Sequence, residues 1–371
     1  MILKGGLIFN PRAGFSPGEL CFDGGVITSS AVGETLDFSG CFLIPGLTDL
    51  HFHGCMGADL SDADPKGLER MAEYELSRGV TQICPAGMTL LPEQLVAMCK
   101  MAAEHREAGR PGAELVGINL EGPFLSRGKK GAQNGDWLLA PDFDLLEELI
   151  AASKGLAKLV TLAPELPGAI DFIKKASDKI VVSLGHTETD FATAEKAFAA
   201  GARQVTHLYN AMPSFLHREP GLIGAAADCE NAMVELICDG VHVHPAVVRA
   251  TFKLFGRERI CLISDTMRAA GMPEGEYTLG GQKVIVSGNR PVLEDGTIAG
   301  SATDLMRCMK TAVSFGIPLA DAVTAAAVNP AKTLGIYHRT GSLEPGKEAN
   351  IAVLDRDLEL KAVFFKGERV F

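Results

Sequence analysis

The sequence predicts an α/β fold: a (β/α)8 barrel of the TIM type, joined to a small β-domain built from both chain ends. Three observations point there. Through the centre of the chain, apolar strand-like runs alternate with amphipathic helical segments eight times, at roughly 30 residues per unit. The polar residues that interrupt those runs gather at their C-terminal ends. Both termini read instead as short strands separated by glycine-rich turns.

The N-terminal stretch contains Leu7-Ile8-Phe9, Gly18-Glu19-Leu20-Cys21-Phe22 and Asp23-Gly24-Gly25-Val26-Ile27. Asp-Gly-Gly between extended runs is a hairpin signal, because both central positions of a tight hairpin turn need positive φ. The C-terminus has the same character over Ala349–Asp355 and Leu360–Phe371, with a turn at Lys366-Gly367-Glu368. Neither piece is long enough to make a stable sheet alone. One small β-sandwich from residues 1–44 and 344–371, with residues 45–343 inserted between, satisfies both.

In the central part, apolar runs lie near residues 43–50, 80–86, 115–120, 159–163, 180–184, 203–206, 233–238 and 260–264. Helical patterns fill several gaps, at Lys66–Arg78, Pro92–Glu107, Asp190–Ala200 and Pro245–Phe255. A doubly wound open sheet is the competing architecture, but no Gly-x-Gly-x-x-Gly or Walker loop follows any strand. Residues 276–298 break the last unit with a glycine-rich hairpin pattern, read as a flap near the barrel mouth.

Composition narrows the function. The net charge is −11, from 35 basic and 46 acidic residues, with no Lys/Arg-rich run, which argues against nucleic acid as a partner. The nine cysteines are scattered with no C-x-x-C pair. Cys84, Cys238 and Cys261 fall inside apolar runs and read as reduced core residues, pointing to the cytoplasm. There is no basic segment leading into an apolar one at the start and no apolar run of membrane-spanning length, so no membrane association is expected.

The chemistry gathers at the strand ends. The first run closes Asp49-Leu50-His51-Phe52-His53-Gly54, and in a strand residues i and i+2 share a face. A lone His-x-His could equally be two hydrogen-bonded core histidines. The third run ends in Glu121, the fifth in His186, the sixth in His207 and the eighth in Asp265. Six such residues at equivalent positions of successive strands are hard to explain by packing. Ionised Glu121 and Asp265 would be costly to bury without a cation or hydrogen bonds. The set reads as a site for one or two divalent metals. His105, in a charged helical segment, reads as solvated.

The strings Leu120-Glu121-Gly122-Pro123-Phe124, Ser183-Leu184-Gly185-His186-Thr187, His207-Leu208-Tyr209-Asn210-Ala211-Met212, Arg218-Glu219-Pro220-Gly221-Leu222, Asp239-Gly240-Val241-His242-Val243 and Ser264-Asp265 resemble the amidohydrolase superfamily. Within it they resemble the family of N-acetylglucosamine-6-phosphate deacetylases, over essentially the whole chain. The resemblance implies that Glu121, His186 and His207 hold a principal metal, and that His51, His53 and Asp265 hold a second, bridged by Glu121. Zn²⁺ and Fe²⁺ both suit such ligands. A divalent ion lowers the pKa of its water from 15.7 to about 7, and Asp265 would act as general base and then general acid. Many superfamily relatives bridge their metals with a carboxylated lysine after strand four, but here that strand runs into Leu162-Ala163-Pro164-Glu165.

The resemblance further implies that Asn210, Ala211 and Arg218 meet a substrate phosphate, that His242 contacts the sugar, and that Ala132, Gln133, Ile298, Ala299 and Gly300 line the site. It implies a homodimer in which the partner subunit contributes to the phosphate pocket. Gln133 stands where family members often place a histidine that contacts the substrate near its carbonyl. Glutamine can donate a hydrogen bond but cannot become cationic, which leaves more of the carbonyl polarisation to metal. The expected activity is hydrolysis of N-acetylglucosamine 6-phosphate to acetate and glucosamine 6-phosphate. The alternatives are another N-acetylated amino sugar phosphate, another linear amide, or a non-catalytic barrel used for binding or assembly.

Overall fold

A computed structural model describes residues 1–371. Each apolar run of the central region contains a strand. We label them β1 (Leu47–Asp49), β2 (Val80–Ile83, continued at Ala86–Gly87), β3 (Glu114–Leu115, continued at Ile118–Glu121), β4 (Ala157–Leu162), β5 (Val181–Leu184), β6 (Gln204–Val205), β7 (Met233–Ile237) and β8 (Ile260–Ile263). Every strand pairs in parallel with its sequence neighbour, from β1–β2 through β7–β8. The sheet curls so that its first and last edges meet beyond the strand ends: Asp265 N–H donates to the His51 carbonyl at 3.0 Å and His53 N–H to that of Thr266 at 2.7 Å. The C-terminal ends of β1 and β8 are thereby locked side by side.

The strands are buried along their length, as expected for a sheet with both faces covered. Helices cover the outside, and their starts follow local rules. Asp64 caps Pro65–Ser77, accepting from Lys66 N–H, with proline at the first position; Asp190 caps Phe191–Ala200 by accepting from Thr193 N–H. Helix Pro92–Glu107 has the expected bounds, but His105 corrects the reading. It is buried, not solvated, and burial lowers its pKa. The reason is phase: Met98, Met101, Ala102 and His105 recur at the spacing of one helix face.

Both termini contribute strands to one six-stranded sheet: Leu7–Asn10, Gly14–Pro17 and Phe42–Pro45 from the start, Ile351–Leu354, Leu360–Phe365 and Glu368–Arg369 from the end. A four-stranded sheet of N-terminal strands lies against it. Leu3, Phe22, Ile27, Leu43, Val353 and Phe364 form the apolar cluster they share. The predicted hairpin is present, with Leu20–Asp23 antiparallel to Val26–Thr28 and positive φ at Gly24 and Gly25. Phe364 is fully buried and meets Phe22 edge-on at 5.6 Å; truncating it to alanine would cost about 3–5 kcal/mol. The segment between β8 and the last helices forms a three-stranded antiparallel sheet, Gly275–Leu279, Gln282–Ser287 and Arg290–Leu293. No helix is long and apolar enough to cross a membrane. All nine cysteines are free, and Cys84, Cys238 and Cys261 are buried.

Candidate metal and active site

The six strand-end residues converge. Glu121 is the hub. Its Oε1 lies 3.1 Å from His186 Nε2, 3.0 Å from His207 Nε2 and 3.4 Å from His51 Nε2. Its Oε2 lies 3.4 Å from His53 Nε2. Asp265 Oδ1 is 3.4 Å from His53 Nε2 and 3.9 Å from His51 Nε2. Two triads share the hub: His51, His53 and Glu121, and Glu121, His186 and His207, the ligand atoms of each within 4.8 Å of one another.

The backbone is shaped to aim these side chains. His186, His207 and Asp265 each sit just past a strand with positive φ, at 48°, 27° and 50°. Non-glycine residues held there cost about 1–3 kcal/mol each and persist only where the surroundings enforce them. After His53, Gly54 pairs with Asp59 in a small hairpin, and a Cβ there would lie 2.0 Å from the Ala58 carbonyl oxygen. Only glycine fits.

The residues fit divalent ions. His53 Nδ1 is 3.2 Å from the Ala86 carbonyl and His186 Nδ1 is 2.8 Å from that of Lys129. A carbonyl only accepts, so Nδ1 carries the proton in each ring. In the neutral imidazole Nε2 then presents its lone pair to the site. His51 Nδ1 lies 2.8 Å from Glu235 Oε2, while its buried Nε2 has no hydrogen-bond partner. This is the usual arrangement of a ligating histidine, one nitrogen held from behind and the other free. The His186 and His207 Nε2 atoms are 3.0 Å apart. Two ligands of a tetrahedral zinc, with Zn–N near 2.0–2.1 Å, lie about 3.3 Å apart.

Charge follows the same pattern. Burial opposes ionisation of Glu121, yet His186, His207 and His51, when protonated, outweigh it and hold the carboxyl well below its usual range. Burial likewise opposes ionisation of Asp265, and His53, His51 and His207 keep its pKa low. At neutral pH Asp265 is a carboxylate and can accept a proton.

Above the cluster opens a cavity of about 500 Å³ lined by His53, Glu121, His186, His207 and Asp265. Ala132, Gln133, Asn210, Ala211, His242, Ile298 and Gly300 line it too. His51 lies beneath, fully buried. Ala299 is fully buried beside Met267 and Leu293, behind the lining. Arg218 is exposed and is not part of the lining of this cavity. His242 is held by Asp239, which accepts from its backbone N–H at 2.9 Å and faces its Nδ1 at 2.7 Å. Leu279, Asp295 and Thr297 bring the antiparallel flap to the cavity edge.

Sequence reasoning missed two groups. Glu235 is fully buried in β7, where it accepts from Gln204 Nε2 at 2.7 Å and from His207 N–H at 3.1 Å and faces His51. Its signal was a lone acid inside the apolar run Met233-Val234-Glu235-Leu236-Ile237. Arg127, Lys129 and Lys130 put positive charge at the cavity mouth, and none has a carboxylate within ion-pair distance. Their run in the sequence is short.

A curled parallel sheet with metal-ligand geometry at its C-terminal rim defines a class of hydrolase, and comparison agrees. The amidohydrolase family profile matches residues 42–370, so the chain belongs to that family. It is 38% identical over 334 residues to an N-acetylglucosamine-6-phosphate deacetylase of Bacillus subtilis (strain 168), covering 89% of this chain and 84% of the relative. It is 36% identical over 328 residues to an N-acetylgalactosamine-6-phosphate deacetylase of Escherichia coli O157:H7, covering 88% and 87%. Among solved structures, a mutant N-acetyl-D-glucosamine-6-phosphate deacetylase from Mycobacterium smegmatis in complex with N-acetyl-D-glucosamine-6-phosphate superposes with TM-score 0.93 at 33% identity, over 100% of this chain and 99% of that one.

Proposed function

We propose that the chain is a metal-dependent deacetylase that hydrolyses N-acetylglucosamine 6-phosphate to glucosamine 6-phosphate and acetate. The observation that carries the reading is the pair of ligand triads sharing Glu121, with Asp265 at the floor of an open cavity. Glu121, His186 and His207 would hold one divalent ion, zinc or iron, and His51, His53 and Asp265 with Glu121 a second. Such ions acidify water and polarise an amide carbonyl.

The chain's own groups do the rest. The ionised Asp265 takes a proton from the attacking water, whose oxygen bonds to the acetyl carbon. As the carbon–nitrogen bond breaks, Asp265 returns that proton to the departing amine. His242, held by Asp239, fixes the sugar, and Gln133 stands beside the acetyl group's end of the cavity. Asn210 and Ala211, with the cations Arg127 and Lys130 at the mouth, suit the phosphate.

The scaffold we infer is a closed (β/α)8 barrel over residues 45–343, with a β-sandwich from residues 1–44 and 344–371. The hydrogen bonds between the ends of β1 and β8 support closure. The active form is a cytoplasmic homodimer in which Arg218 reaches the partner's phosphate pocket. Phe215 and Leu216, each 51% exposed, lie next to it and supply an apolar face for a dimer to cover.

The test compares acetate release from N-acetylglucosamine 6-phosphate and from unphosphorylated N-acetylglucosamine. The reading expects at least about 100-fold higher kcat/KM on the phosphate, as for a lost charge-assisted contact. Equal rates would contradict it. The Escherichia coli relative favours one second reading, the galactosamine epimer, which acetate release from N-acetylgalactosamine 6-phosphate, measured alongside, separates.

A further inference from the structure

Glutamine 133 does more than line the cavity. Its side chain is buried, and Thr89 N–H donates to its Oε1 at 2.7 Å. A backbone N–H can only donate, so the amide oxygen must face Thr89 and the amide nitrogen must face the other way. There Nε2 donates to Glu121 Oε2. The loop that carries it is fixed as well. Gln282 of the flap donates to the Ala132 carbonyl at 2.6 Å, and Gln133 N–H to that of Lys130 at 3.0 Å.

Glu121 turns its two oxygens to different neighbours. Oε1 faces His186 and His207 and lies 3.4 Å from His51, while His53 is the one histidine that faces Oε2. A carboxylate on a long side chain can rotate, and rotation would present both oxygens to one group and abandon the other. The only protein hydrogen-bond donor on Oε2 besides an imidazole is Gln133.

We propose that Gln133 is a positioning residue that fixes the rotation of Glu121 so that it can bridge two ions, with its amide set by Thr89. This rests on the two-metal reading above. It assigns the side chain a partner other than the substrate carbonyl. The role needs a hydrogen-bond donor, and the glutamine amide supplies one without titrating.

The experiment uses the full-length protein and the variants Gln133→Met, which keeps length without a donor, and Gln133→Asn, which keeps the amide but is one methylene short. Zn²⁺ affinity is measured by competition with a chelator, alongside kcat, KM and the melting temperature of the metal-free forms. Wild type is expected to bind two ions. Each variant should bind the second ion about 10- to 100-fold more weakly and lose kcat, with the first ion and the KM for sugar phosphate within about threefold. If both variants bind two ions as wild type does, the inference is wrong, whether KM rises, which would make Gln133 a substrate contact, or stays unchanged. A wild-type protein that takes up no ion would overturn the metal reading itself.

Discussion

The Nε2 atoms of His186 and His207 stand 3.0 Å apart, and both lie within 3.1 Å of one oxygen of Glu121. Two neutral imidazoles cannot both keep a lone pair on this point and be satisfied by each other. The contact makes sense if a cation is what all three address. His207→Ala should therefore release the principal ion, lowering the metal count by one per chain and acetate production by at least about 1000-fold. Metal analysis on the purified variant checks it; a full metal count would remove His207 from the ligand set.

Asp265 is separable from that ion. It faces His53 and His51 and is kept ionised by them. Asp265→Asn should retain the ion at Glu121, His186 and His207 while kcat falls about 100- to 10,000-fold, the range of a lost general base. An Asp265→Asn variant with near-normal turnover would sink the proposed proton path.

A chelator experiment addresses the same centre through stability. Ions that bind only the folded chain stabilise it by about 2.7 kcal/mol when present at 100 times Kd. Stripping them should lower the melting temperature by several degrees, and adding Zn²⁺ back should restore it. A melting curve indifferent to chelator would argue that the cluster holds nothing.

Glu114 at the start of β3 is the centre of an ion-pair cluster that reaches from the central region to the C-terminal strands. Arg339 grips it with two hydrogen bonds of 2.9 and 3.1 Å, Arg106 pairs with it, and Lys366 lies 3.5 Å away. Arg339 also meets Glu348 at 2.7 Å. Burial pushes the Glu114 carboxyl up, but these cations outweigh it and hold its pKa below the usual 4.5. The folded pKa is depressed, so its contribution is complete above about 4.5 and fades as pH falls through the lower folded value. Glu114→Gln should cost about 1.5–3 kcal/mol at pH 7. Melting curves of both proteins should converge in acid; a gap that stays constant with pH would exclude the ion pairs as its cause.

Much of this was legible in the chain before folding. The His51-x-His53 spacing, and the habit of apolar runs to end in a ligand-capable residue, placed the ligand-capable cluster on one rim, with both histidines just beyond the end of β1. Glu235 was not legible, because an acid flanked by Val234 and Leu236 looks like an isolated exception until its side chain is seen between Gln204 of β6 and His51 beyond the end of β1. His105 was misjudged because its charged neighbours Glu104 and Arg106 conceal that it shares a face with Met98 and Met101. Gln133 could be singled out in the sequence as a cavity residue, but its partner Thr89 is distant in sequence and offers only a backbone N–H. Contacts made by backbone groups across loops leave no residue-type signature.

The most direct measurement is acetate release from N-acetylglucosamine 6-phosphate by protein purified without chelator, with metal counted on the same sample. The account predicts steady turnover with close to two ions per chain. A folded, metal-loaded protein that releases no acetate from this substrate would contradict it.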